Sequence, residues 1–137
     1  MREILKILDA LRDPLRLRLL RLLRKRELCV CELVDSLRIP QYAVSRQLRS
    51  LRALGLVAAR RDGRWMYYRL GKEATGRGPA AELLAVLCRR LEHENVLRRD
   101  DLSLRRRLGM GRIGRCRTVS RSKAVLGKLG YTSEDRE

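Results

Sequence analysis

The sequence has no phenylalanine, a single histidine, His93, and only three prolines in 137 residues. Acidic side chains are also scarce, 16 Asp+Glu against 33 Lys+Arg, so the formal net charge is +17. No apolar run approaches the ~20 residues that a membrane-spanning helix needs. The start, MREILKILDALRD, is charged where a signal peptide would be apolar. We therefore expect a cytoplasmic protein with no membrane partner.

Groups that carry catalysis are scarce as well. With one histidine, no paired carboxylates in a plausible pocket and no glycine-rich phosphate loop, nothing in the sequence assembles a catalytic site. The four cysteines, Cys29, Cys31, Cys88 and Cys116, are too few and too unevenly spaced for a secreted disulfide framework. We expect a protein that is not an enzyme, with thiols free for metal binding or redox sensing.

The positive charge indicates a polyanionic partner, and nucleic acid is the obvious one, since basic side chains attract it at long range and release its counterions. The length is that of one domain plus a tail. We expect residues 1–108 to form a DNA-binding and dimerisation domain. Residues 109–137 carry glycine, serine and charge without sustained periodicity, which predicts a flexible basic C-terminal tail.

Apolar periodicity predicts a series of helices in the first half of the chain. After a first helix around Ile4–Leu11, Asp13 supplies a cap and Pro14 a first helical position. The further predicted helices are Pro14 to about Arg24, Glu27–Leu37 and Gln41–Leu54, the last two joined by a tight turn at Pro40. Two helices across a short turn predict a helix-turn-helix.

Two strand-like stretches, Leu56–Arg61 and Trp65–Leu70, flank Asp62-Gly63, a strong hairpin signal. A linker at Gly71–Gly78 then leads to a long helix opened by Pro79, which continues or restarts through Leu102–Leu108. Since so small a chain has little internal surface to cover its first and terminal helices, we expect them to pack across a two-fold axis. The predicted fold class is mainly α with a β-hairpin (α+β), a winged helix-turn-helix that forms a homodimer through its terminal helices.

Positive charge concentrates on this predicted motif, with seven arginines and one acid between Gln41 and Leu70. A helix that buries Val44, Leu48 and Leu51 turns its other side chains outward, where they reach base edges and phosphates in a major groove. The hairpin tip is placed to enter a flanking minor groove or to clamp phosphate. Our candidate DNA-binding residues are Gln41, Tyr42, Ser45, Arg46 and Arg49 on the helix and Arg61 and Arg64 at the tip. A dimer would read an imperfect palindromic operator in double-stranded DNA.

The string ELCVCEL, Glu27 to Leu33, places two thiols one residue apart, and thiolates suit a soft, thiophilic ion. With the segments AVSRQLRSLRALGLV and DGRWMYYRL, it resembles the ArsR/SmtB family of metal-responsive repressors, and the Cys-Val-Cys spelling resembles its arsenic-sensing branch. The resemblance covers about Asp13 to Leu70. It implies a repressor of a metal or arsenic resistance operon whose inducer, As(III) or Sb(III), binds Cys29 and Cys31, with no cofactor required for DNA binding.

Residues i and i+2 of a helix point about 200° apart. Cys29 and Cys31 both lie within the predicted third helix, so they can share an ion only when that turn unwinds. Unwinding would misplace the recognition helix and release DNA. Arsenic-sensing relatives often carry a third cysteine where this chain has Val34. The third ligand is therefore Cys116, Cys88 or absent.

Other interpretations remain open at this point. The same fold with the same thiols can respond to Cd(II), Pb(II) or Zn(II), or to thiol oxidation. A zinc site on the last long helix is disfavoured because His93 has no second histidine beside it. From another class, the chain can be a constitutive architectural or RNA-binding protein whose tail does the binding.

Overall fold

A computed structural model describes residues 1–110, which form seven helices and one three-stranded sheet. The elements in chain order are α1 Arg2–Leu11, α2 Pro14–Lys25, β1 Leu28–Cys29, α3 Val30–Leu37, α4 Gln41–Ala53, β2 Val57–Asp62, β3 Trp65–Leu70, α5 Lys72–Thr75, α6 Pro79–Arg90 and α7 Asn95–Gly109. No helix within this described part is both long and apolar enough to cross a membrane. The predicted tail is 109–137, and its residues 111–137, with Cys116, lie outside the described residues.

The start of α2 follows the expected local chemistry. The Asp13 side chain accepts a hydrogen bond from the Arg16 backbone N–H at 3.0 Å, and Pro14 occupies the first turn, where its missing donor costs nothing. Leu19, Leu20 and Leu22 are then fully buried. This leucine face makes α2 the central helix of the core.

Helices α3 and α4 form the predicted helix-turn-helix. Helix α3 ends at Leu37, and Arg38 takes a left-handed conformation with φ of 55° as its C-cap. Pro40 then precedes α4, whose buried side chains are Val44, Leu48 and Leu51. The inward face of the recognition helix is therefore the one that the periodicity predicts.

The sheet is antiparallel, with strand order β1-β3-β2. Strands β2 and β3 form the predicted hairpin, closed by the pair Asp62–Trp65 around the two-residue loop Gly63-Arg64. Gly63 has a φ of +61°, which suits the first central position of a type II′ turn and favours glycine there. Strand β2 lies one residue later than the predicted Leu56–Arg61, and β3 has the predicted bounds.

The prediction of a third helix from Glu27 is wrong at its start, because Leu28–Cys29 is a strand and α3 begins at Val30. Leu28 and Cys29 pair with Tyr68 and Tyr67 of β3. Leu28 is fully buried, and the hairpin supplies the partner for the backbone of this dipeptide. A sequence pattern cannot reveal that partner, because β3 lies about forty residues further along the chain.

The prediction for the end of the chain is correct only in part. The helix opened by Pro79 ends at Arg90, and α7 restarts at Asn95. Helix α7 buries Leu97 and Leu104 against α3 and α2 of this chain, while its Val96 and Leu102 are 40% and 53% exposed. The predicted linker also contains the short helix α5.

Charged pairs fasten α7 to the helices beneath it, and we call them the ion-pair seam. Asp100 accepts from Arg18, Asp101 accepts from Arg21 and Lys25, and Arg107 donates to Asp35 of α3. Asp100 and Arg107 are 2% and 3% exposed, so these charges are held inside the protein by their partners.

Candidate DNA-binding surface and thiol site

The outward side of α4 carries the candidate base-reading residues. Gln41, Tyr42, Arg46 and Arg49 are exposed and Ser45 is half-buried, opposite the leucine and valine face that enters the core. Amide, hydroxyl and guanidinium groups therefore stand on one helix face, and all of them except the Ser45 hydroxyl belong to exposed residues. This face has the shape and the chemistry that a major groove accepts.

A contact from α2 sets the position of this helix, and sequence reasoning missed it. Arg16 Nε donates a hydrogen bond of 2.7 Å to Gln47 Oε1 in the middle of α4. Both side chains are half-buried. Arg16 is thus a positioning residue for the recognition helix.

The wing presents the other two candidates. Arg61 and Arg64 are exposed at and beside the hairpin loop. The Arg64 guanidinium lies 5.6 Å from the centre of the Trp65 ring, which supports the side chain at the tip. Tyr68 packs against the core, as expected for a sheet residue.

Cys29 occupies the cap position of α3. Its Sγ accepts from the backbone N–H of Glu32, while Glu32 Oε1 accepts from the backbone N–H of Cys29 at 3.2 Å. This reciprocal arrangement is a capping box in which cysteine takes the place of serine or threonine. The spacing Cys29-x-x-Glu32 is the sequence signal for a helix start at this point, and the helix prediction overlooked it.

The two thiols are already in contact. A hydrogen bond that the Cys29 thiol donates to Cys31 is the largest cause that raises the pKa of Cys29, followed by burial and by the hydrogen bond to the Glu32 carboxylate, while the Glu32 backbone N–H lowers it. Cys29 is therefore a protonated thiol at neutral pH. Cys29 is buried, whereas Cys31 is half-exposed and gives access from solvent.

This contact overturns the expected conflict between the thiols and the helix. Because Cys29 has extended backbone angles and only Cys31 belongs to α3, the 200° separation of helical residues does not apply to the pair. The thiols come together with the helix intact. Unwinding of a regular turn is not needed for both to face one ion.

A charged cluster joins the thiol pair to the wing. Glu27 Oε1 accepts from Arg60 Nε at 2.8 Å, and the Arg60 guanidinium lies 4.7 Å from the centre of the Tyr67 ring. Tyr67 is the cross-strand partner of Cys29. Arg60 also lowers the pKa of Glu27, through the hydrogen bond first. We call Glu27, Arg60 and Tyr67 the wing latch, which lines a cavity of about 500 Å³ together with Glu32.

The described residues do not surround the two thiols with enough further metal ligands to complete a site. Within residues 1–110, no group of three or more His, Cys, Asp or Glu side chains is arranged to hold a metal ion. Cys88 is buried on α6, and His93 pairs with Glu92 at 3.2 Å on the exposed turn after it. The described residues thus offer two thiols and no complete metal cage.

The family profile described as "Bacterial regulatory protein, arsR family" matches residues 13–59, which span α2, the thiol pair and α4. The chain is 47% identical over 68 residues to a transcriptional repressor SmtB homolog of Synechocystis sp., covering 50% of this chain and 52% of the relative. It is 46% identical over 77 residues to the arsenic resistance transcriptional regulator ArsR1 of Pseudomonas putida, covering 53% of this chain and 60% of that protein. The chain belongs to the ArsR/SmtB family.

A solved structure agrees with this membership. The homodimeric winged helix-turn-helix DNA-binding domain of Mb0332 from Mycobacterium bovis superposes with a TM-score of 0.55 at 28% identity, covering 68% of this chain and 82% of that one. ArsR/SmtB proteins are DNA-binding transcriptional regulators, which confirms that the chain is not an enzyme. The chain spans only about half to three-fifths of the two curated relatives.

Proposed function

We propose that this ArsR/SmtB protein is a homodimeric repressor of a metal or metalloid resistance operon, released from DNA when a thiophilic ion binds Cys29 and Cys31. As(III) or Sb(III) is the proposed inducer. The observation that carries the proposal is the contact between two thiols at the joint of β1, α3 and the wing. Residues 1–108, which end one residue before the end of α7, are the proposed DNA-binding and dimerisation unit, and residues 109–137 a basic tail.

The DNA-binding half rests on the exposed side of α4 and on the wing. Gln41, Tyr42, Ser45, Arg46 and Arg49 would contact base edges and nearby phosphates in the major groove. Arg61 and Arg64 would contact the flanking backbone or minor groove, where a narrow groove attracts guanidinium groups. Two copies would read successive major-groove faces of an imperfect palindrome in duplex DNA.

The dimer half is supported by uncovered apolar side chains. Leu5 and Leu8 of α1 are 56% and 46% exposed, and Val86 of α6 is 43% exposed. These residues lie on two helices that contact each other. Helices α1 and α6 form the proposed two-fold interface, and the neighbour from Mycobacterium bovis is homodimeric.

The ion half is supported by the donor set. In the described part of the chain, residues 1–110, the two sulfurs belong to no group of three or more His, Cys, Asp or Glu side chains that could hold a metal ion. Such a thiol pair suits As(III), Sb(III) or another soft ion better than Mg(II) or Ca(II). Cys116 is the first candidate for a third ligand.

Release would be transmitted through β1. When Cys29 Sγ serves as a ligand it no longer accepts from the Glu32 N–H, and loss of a helix cap costs about 1 kcal/mol. The same residue holds β1 against Tyr67, so its displacement moves both α3 and the wing strand. Ion binding at Cys29 would thus displace both the helix-turn-helix and the wing, the two elements that would contact DNA.

The first test replaces each thiol by serine. Cys29→Ser and Cys31→Ser are expected to bind DNA upstream of the protein's own gene within about 3-fold of wild type, and to lose at least 10-fold of the release caused by arsenite. Fluorescence anisotropy of labelled duplex, with and without arsenite, measures both quantities. Cys88→Ser is the matched control and should respond like wild type.

The alternatives give different patterns in the same assay. Release by Cd(II), Pb(II) or Zn(II) but not by arsenite or antimonite would replace the proposed inducer. Release by oxidant in the absence of any ion would favour thiol oxidation. Full arsenite response in both serine variants would refute the thiol site.

The wing latch gives a second prediction. Glu27→Gln is expected to bind ion as wild type does, read from the ultraviolet absorption of the sulfur–ion bonds, while the ratio of DNA affinities without and with ion falls about 5-fold or more. The reason is that Arg60 of β2 loses the carboxylate of Glu27, the residue directly before β1. Glu82→Gln, an exposed change of equal charge on α6, is the control and should leave the ratio unchanged. An unchanged ratio in Glu27→Gln would rule out transmission through the latch.

A further inference from the structure

Helix α7 separates its charges by side. Both acids, Asp100 and Asp101, point into the ion-pair seam, where they bind arginine and lysine of α2. Four arginines remain on the outside, and we call them the α7 arginine face. They are Arg98, Arg99, Arg105 and Arg106, all exposed.

Helices α1 and α6 do not show this separation. On α1 the exposed cations Arg2 and Lys6 alternate with the exposed acids Glu3 and Asp9. On α6 the exposed Glu82 accompanies Arg89 and Arg90. Helix α7 therefore resembles α4 in carrying exposed cations and no exposed acid, although Glu92 and Glu94 are exposed just before it and Leu102 is exposed on it.

The seam places α7 beside the turn of the helix-turn-helix. The guanidinium of Arg18 donates to Asp100 at 2.8 Å and to the carbonyl oxygen of Leu37 at 3.0 Å. Leu37 ends α3, and the exposed Arg38 follows it. In a helix-turn-helix the first helix crosses the DNA backbone next to this turn. The seam therefore holds α7 next to the end of α3, and the α7 arginine face lies on the side of α7 that is turned away from the seam.

We propose that the α7 arginine face binds the phosphate backbone of duplex DNA beside the major-groove site, so that each protomer covers more DNA than its recognition helix and wing reach. The proposal rests on the DNA-binding half of the proposed function. The acids of the seam orient the helix so that its arginines face outward. Such contacts add affinity on every sequence, since phosphates carry no base information.

The test compares two variants with equal loss of charge. In one, Arg98, Arg99, Arg105 and Arg106 all become glutamine, which keeps helix propensity close to that of arginine. In the control, four other exposed cations, Lys72, Arg77, Arg89 and Arg90, become glutamine. Binding of a random-sequence duplex and of the operator is measured from 50 to 400 mM salt, and circular dichroism checks folding.

The slope of log affinity against log salt falls by about 0.9 for each phosphate that the protein no longer neutralises. We expect the α7 variant to reduce the slope by about 2 or more, equally on both duplexes, with its preference for the operator unchanged. The control variant should reduce it by less than 1. Equal slopes for the two variants would overturn the proposal.

Sedimentation of the free protein tests whether a second copy of the chain, instead of DNA, binds the α7 arginine face. If the α7 variant keeps the wild-type slope and instead loses self-association, the face is a contact between copies and the proposal is wrong. Failure of the proposed function is distinguishable, because it shows in wild type as equal affinity for operator and random duplex or as no response to thiophilic ions. The slope on random duplex decides the role of α7 in either case.

Discussion

Arg46→Ala is expected to weaken binding of the dimer to its operator by about 30-fold to 20,000-fold, because a bidentate arginine contact to a base contributes about 1–3 kcal/mol and both protomers lose theirs. Arg46 is exposed on the outward side of α4, in its first half, which is the part of a recognition helix that meets base edges. Titration of labelled operator, with random duplex in parallel, measures the effect.

Arg52→Ala is the matched control, because it removes the same charge from an exposed position of the same helix. Arg52 lies in the last turn of α4, about 9 Å further along the axis. We expect it to weaken operator and random duplex alike, and by far less. Equal weakening of both duplexes by Arg46→Ala would assign Arg46 to phosphate contact, and no weakening would refute the recognition face.

Asp100→Ala is expected to lower the free energy of unfolding by about 3–5 kcal/mol, since it leaves a largely buried guanidinium without its carboxylate. The side chains of Arg18 and Asp100 are 17% and 3% exposed, and two hydrogen bonds of 2.9 and 2.8 Å join them. Urea unfolding followed by circular dichroism measures the loss.

Asp9→Ala removes the same carboxylate from the exposed pair Arg12–Asp9, whose side chains are 81% and 66% exposed. Because solvent screens such a pair, its loss should change stability by less than about 1 kcal/mol. Arg18→Leu combined with Asp100→Leu should recover much of the stability lost in Asp100→Ala, since no unpaired charge remains. Similar losses for Asp9→Ala and Asp100→Ala would mean that the seam does not hold α7.

Acid should weaken the seam in the same experiment. Burial acts to raise the pKa of Asp101, but hydrogen bonds from Arg21 and Lys25 outweigh it, so the pKa is lowered. A carboxyl with a lowered pKa stabilises the fold above its unfolded value of about 4 and loses that contribution as pH falls through the folded value. Asp101→Asn should therefore flatten the acid side of the stability profile.

The sequence by itself determined the helix-turn-helix, the wing and the outward side of the recognition helix. Each depends on contacts between near neighbours in the chain. Asp13 and Pro14 start α2, the period of Val44, Leu48 and Leu51 sets the buried face of α4, and Gly63 permits the hairpin turn. The family resemblance also rests on local strings, and two of them, ELCVCEL and AVSRQLRSLRALGLV, lie within residues 13–59, where the profile of that family matches.

Only the tertiary structure decided the state of the thiol pair and the path of the last helix. Cys29 leaves the helix because β3, far along the chain, offers its backbone a strand partner. Helix α7 folds back because its acids meet arginines of α2 about eighty residues earlier. Backbone pairing and buried charge pairing join distant residues, and periodicity along the chain carries no record of which distant partner is chosen.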